Sequence, residues 1–135
     1  MPARPNRIPQ SLYLDLLAIP YVEHGRTLEG MDCVGLFMEI QRRLGRHLPV
    51  YESDPTILAD SLIAWERVET PEAGDGVLLF SSDPPWHLAT VIGPNEMIHG
   101  KEGAGMVVER FDTPAHRRCI EGFYRWKSQV PAPSV

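Results

Sequence analysis

Two cysteines and five histidines are the side chains of this sequence with chemistry to offer near neutral pH. Cys33 stands in "GMDCVGLFMEI", residues 30 to 40, between an acidic residue and a small-residue turn, where an apolar stripe of helical spacing begins. A thiol at the start of a helix faces unpaired backbone N–H groups and the positive end of the macrodipole. That setting lowers its pKa below the free value of ~8.5 and favours the nucleophilic thiolate. The competing reading of Cys33 is a small apolar residue on the core stripe of its helix. A nucleophilic thiol also needs an imidazole that takes its proton and later returns it to the leaving amine. His24 lies in the loop before Cys33, His47 follows the Cys33 helix, and His116 is flanked by arginines; all three read as surface residues. His87 opens "HLATVI" and His99 closes "EMIHG". With "GPNE" as the hairpin between these runs, the two rings come to the same end of paired strands, where one can orient the other.

Positioning these groups requires particular elements. Ile8, Leu12, Leu16 and Leu17 fall at helical spacing before Pro20 stops the run. A second helix carries Cys33, Leu36, Phe37, Ile40 and Leu44 on one face, with Asp32 as N-cap and Gly45 as C-terminal stop. "SDPTILADSLIAW", residues 53 to 65, offers a third, capped by Asp54 with Pro55 in the first turn. After "ETPEAGDG", where Gly74 and Asp75 form the turn into the first core strand, short β-like runs follow: "VLLF", "HLATVI", "EMIHG", "GMVVERF" and "GFYRW". The expectation is an α+β domain, with N-terminal helices packed on an antiparallel β-meander and the thiol at a helix N-terminus.

A chain of 135 residues, 43% of them hydrophobic, suits a single domain over 1–135, with a core at about 11–126 and Pro-rich tails. The net charge of -5 and dispersed basic residues argue against nucleic-acid binding. Two cysteines far apart in sequence make a disulfide framework or a cysteine-based zinc site unexpected. No apolar run approaches the ~18 residues that span a bilayer, so membrane insertion is not expected. "MPARPNRIPQ" lacks the apolar core of a secretory signal, and the expectation is a chain that does not leave by the usual export route.

The ordered set of "PY", "DCVGL", "GD…LF", "HLATVIG", "MIHG" and a closing "GFYRW", from about Tyr13 to Trp126, resembles the NlpC-type cell-wall cysteine peptidases of the papain-like superfamily. It is particularly similar to the short versions encoded with bacteriophage tails and related gene-transfer particles. The resemblance implies that Cys33 is the nucleophile, His87 the general base and acid, and His99 the polar residue that holds His87. It places Tyr21 near the oxyanion position, with ring packing as the alternative role. Asp32 stands between substrate contact and a plain helix cap, Gly35 permits close approach of a strand or of substrate, and Cys119 reads as structural. Many members have Ser after the nucleophile, where this chain has Val34. The implied substrate is the peptidoglycan stem peptide, cleaved between D-glutamate and a diamino acid without metal or organic cofactor. The implied setting is a phage tail tip, reached after synthesis in the host cytoplasm, with neighbouring tail proteins as partners. The rival readings are a structural tail-tip subunit with a peptidase-like fold, and an amidase or acyltransferase on a similar fold.

Overall fold

A computed structural model describes residues 6–46, 65–80 and 86–127. Asp32 closes the N-terminus of helix α1 (Cys33–Arg43), its side chain accepting a hydrogen bond from the Gly35 N–H. The chain leaves the helix through Gly45 at φ 82°, a left-handed position suited to glycine. The expected apolar stripe is the buried face: Cys33, Val34, Leu36, Phe37 and Ile40 are all buried.

The segment before α1 is not the α-helix that its apolar spacing suggested. It forms two 3-10 helices, Gln10–Leu12 and Leu14–Ala18. Their hydrogen bonds run over three residues, Tyr13 N–H to Gln10, Leu16 to Tyr13 and Ile19 to Leu16. The buried residues Tyr13, Leu16 and Ile19 recur at the same interval, so tertiary burial favours the tighter helix. Between this segment and α1 lies a small ribbon of β1 (Arg26–Thr27) and β2 (Gly30–Met31) that was not expected. The proposed third helix, 53–65, lies outside the described residues except for Trp65, which opens strand β3 (Trp65–Val68).

Five strands stand where the β-like runs were read: β4 (Gly76–Phe80), β5 (Trp86–Gly93), β6 (Glu96–Lys101), β7 (Gly105–Arg110) and β8 (Ile120–Trp126). With β3 they form a six-stranded antiparallel sheet in the order β3-β8-β4-β5-β6-β7. Only β4 to β7 make a meander. β8 returns across the sheet to lie between β3 and β4, a long-range pairing invisible to local pattern. The Gly74-Asp75 turn does start β4, with Gly74 at φ 95°. Asp75 is buried and accepts two hydrogen bonds from Arg125 of β8, at 3.1 and 2.9 Å, which ties the returning strand to the turn.

The sheet is covered on both faces. One face packs on α1 and the 3-10 segment, with Leu78, Leu88, Ile92 and Ile98 meeting Phe37, Leu36, Ile40 and Leu16. On the other face Val77, Leu79, Ala89, Val91 and Met97 gather around Phe111. Among the described residues no helix is long and apolar enough to cross a membrane.

Candidate active site

The GPNE hairpin forms as its composition indicates, with Asn95 at φ 61° in the turn from β5 to β6. It brings His87 and His99 together: His87 Nε2 and His99 Nδ1 are 2.7 Å apart, the rings edge-on with centroids 4.9 Å apart. Cys33 meets β5 next to His87. The residues flanking His87, Trp86 and Leu88, belong to the apolar cluster that contains Cys33, and the Leu88 N–H hydrogen-bonds the sulfur. The Val34 N–H, in the first turn of α1, also reaches the sulfur.

Burial reverses the expected electrostatics of the thiol. Cys33 is only 6% exposed, and desolvation pushes its pKa up; the Leu88 and Val34 N–H groups oppose that shift, while the nearby Asp32 carboxylate adds to it. His87 is held down to about 4, chiefly by burial and then by the positive charge of Lys101. Burial and the neighbouring His87 lower His99 as well. At neutral pH the trio is therefore a thiol and two neutral imidazoles. A bare ring nitrogen on His87 can accept the thiol proton while His99 holds the opposite nitrogen.

His87 and His99 line a cavity of about 260 Å³ whose wall also includes Tyr21, Lys101, His116 and Cys119. Tyr21 is placed by an isolated parallel bridge to Met31, two residues before Cys33. Its ring packs against the apolar cluster beneath the helix, so it both lines the cavity and fills space. Burial, with the neighbouring Cys33 and Asp32, raises its hydroxyl to about 12, leaving it a hydrogen-bond donor at neutral pH. Asp32 is a cap. Its buried carboxylate accepts from Gly35 N–H at 2.9 Å, His24 N–H at 3.1 Å and the Arg26 guanidinium at 2.5 Å. Gly35 permits the close approach expected of it, but to the Gly25 carbonyl, which an added Cβ would meet at 2.4 Å.

His24 is an exposed residue, and His47 lies outside the described residues. His116 is not a solvated bystander. It caps a cluster around Glu109, with its Nε2 2.9 Å from Glu109 Oε2, while Lys101 Nζ is 3.1 Å from Glu109 Oε1. Glu109 Oε1 in turn is 3.8 Å from His99 Nε2. The sequence held one signal for this cluster: strand parity. In the β6–β7 register His99 faces Val107 and Met97 faces Glu109, which puts Glu109 on the same face as His99. Cys33 and Cys119 are both free thiols. Among the described residues no group of three His, Cys, Asp or Glu side chains is placed to hold a metal ion.

Residues 18–125 match the sequence model of the NlpC/P60 family. Among solved structures, the chain is similar to a Staphylococcus aureus protein described as similar to lipoprotein, NLP/P60 family. The TM-score is 0.67 at 20% identity, over 89% of this chain and 40% of that one. It is similar to an NlpC/P60 family protein from Bacillus cereus at TM-score 0.66 and 20% identity, over 89% of this chain and 41% of that chain. The NlpC/p60 domain of the peptidoglycan hydrolase SagA superposes at TM-score 0.63 and 21% identity, covering 85% of this chain and 93% of that domain. The chain thus spans about two fifths of the length of the first two proteins. At these identities the likeness is one of fold. Among curated proteins nothing matches the chain.

Proposed function

Because the chain belongs to the NlpC/P60 family, we propose that it is a cysteine peptidase that hydrolyses an amide bond in the stem peptides of peptidoglycan. The observation that carries this reading is the 2.7 Å contact between His87 and His99 beside the first turn of the Cys33 helix. The partly buried His87 and the buried His99 share this contact, and Cys33 reaches the same strand at Leu88, the residue next to His87.

In this mechanism the resting groups are neutral. As Cys33 Sγ attacks the substrate carbonyl, its proton passes to the bare nitrogen of His87, whose other nitrogen is held by His99. Formation of the C–S bond opens the carbonyl to an oxyanion, to which the backbone N–H of Cys33 and the Tyr21 hydroxyl would donate. His87 then returns the proton to the departing amine. Water, deprotonated by His87, attacks the thioester and releases the acid and the thiol. The general-base route suits a desolvated thiol, because the free energy needed to ionise it is met only as the new bond forms.

The proposed bond is that between D-glutamate and a diamino acid, and the proposed place of action a phage tail tip. Both are supported by the motif order from "PY" to "MIHG". The test is incubation of the purified protein with isolated peptidoglycan, followed by mass spectrometry of the muropeptides. New glutamyl carboxyl and diamino-acid amino termini are the expected products. Intact stem peptides would refute the peptidase reading, and intact peptides together with tight binding to tail proteins would favour a structural subunit. Purified phage particles containing the chain are the expected result for the location.

A further inference from the structure

We propose that Glu109 is a positioning residue that fixes the proton order of the His99–His87 pair, an inference that rests on the cysteine-peptidase reading above. Two neutral imidazoles sharing one hydrogen bond have two arrangements. In one, His87 Nε2–H donates to His99 Nδ1, which leaves His87 Nδ1 bare to take the thiol proton. In the other, His99 Nδ1–H donates to His87 Nε2, His87 Nδ1 carries the hydrogen, and the ring cannot act as the base. Contact between the rings does not choose between them. The choice falls on whatever faces the far nitrogen of His99.

That nitrogen, His99 Nε2, is buried and makes no hydrogen bond, and Glu109 Oε1 lies 3.8 Å from it. A carboxylate there attracts an N–H and repels a lone pair, so it favours hydrogen on Nε2 and the bare nitrogen toward His87. This is the arrangement in which His87 is a base. The carboxylate is itself fixed. Lys101 Nζ holds Oε1 at 3.1 Å and His116 Nε2 holds Oε2 at 2.9 Å, while His116 Nδ1 is anchored on Thr113 Oγ1 at 2.9 Å. Although burial opposes ionisation, the Lys101 hydrogen bond and the adjacent His99, Lys101 and His116 hold the Glu109 carboxyl below its ordinary range. It is therefore anionic at neutral pH. When His87 becomes an imidazolium during attack, the same charge stabilises it from the far side of His99.

The ¹⁵N spectra of the imidazoles in the full chain at pH 7 test this directly. Wild-type His87 and His99 should both carry hydrogen on Nε2 and none on Nδ1. In Glu109→Gln both rings should show a mixed or reversed population, and kcat on a soluble muropeptide should fall about 10- to 100-fold with KM unchanged. Glu109→Asp keeps the charge at shorter reach and should lie between the two; it also carries the comparison if Glu109→Gln fails to fold. A wild-type His87 protonated on Nδ1 would overturn the proposal, as would tautomers and kcat unchanged in a folded Glu109→Gln. A wild-type chain that shows the expected tautomers but cleaves no peptidoglycan would count against the peptidase reading alone.

Discussion

Cys33 meets β5 at Leu88, next to His87, and His87 meets His99, yet removal of the three should have three different results. Cys33→Ala deletes a sulfur from a packed site, a loss of about 1 kcal/mol in stability. Hydrolysis should disappear while the circular dichroism spectrum is retained. His87→Ala removes proton transfer and should reduce kcat by at least ~100-fold. His99→Asn should keep measurable turnover, because an amide oxygen can still accept the His87 N–H. A His99→Asn enzyme as inactive as His87→Ala would make His99 essential instead of orienting. The depressed His87 also sets a pH expectation. The ring must be neutral to act, and burial holds it down to about 4, so kcat/KM should stay flat on moving from pH 8 to 6 and fall only as pH approaches about 4. An acid limb centred near the ordinary histidine value of ~6.5 would mean that the base is solvated.

At the scale of elements, the start of α1 is the critical joint. Gly35→Ala would drive a Cβ to 2.4 Å from the Gly25 carbonyl, a backbone contact that cannot move aside cheaply. We expect a loss of about 1 to 3 kcal/mol in urea unfolding, with activity reduced as the loop carrying Tyr21 shifts. A neutral Gly35→Ala would show that the loop yields. This joint was legible in the sequence because its signals are local: an acidic cap at Asp32, a stripe at helical spacing and a glycine stop. The β5–β6 hairpin was legible for the same reason, and with it the meeting of His87 and His99. The 3-10 segment was not, because Ile8, Leu12 and Leu16 fit an α-helix while the burial of Tyr13, Leu16 and Ile19 that decides the matter is tertiary. Nor was the pKa of Cys33, since a helix terminus is visible in sequence and the depth of burial over it is not. Glu109 went unread because it shares a face with His99 only once β7 is paired in register, and His116 read as a surface residue because its contact with Glu109 is tertiary.

For the whole molecule, two neutral histidines, His99 buried and His87 partly so, make stability depend on pH. Their folded pKa values lie below the unfolded value, so the unfolded chain binds more protons between them. Stability should be full above about pH 6.5, decline as pH falls toward 4 and level off below that; thermal unfolding midpoints across this range are the measurement. His87→Ala should flatten part of the decline, and an unchanged profile in that variant would place its origin elsewhere. The position of β8 bears on a different matter, the order in which the domain is synthesised. Strands β4 to β7 can pair as successive hairpins as they leave the ribosome, but one side of β4 stays open until Ile120–Trp126 has emerged. Only then does Tyr124 join the cluster around Cys33 and Arg125 reach Asp75. A nascent domain is therefore one central strand short until Ile120–Trp126 has been made, and the surroundings that tune its thiol are completed only then.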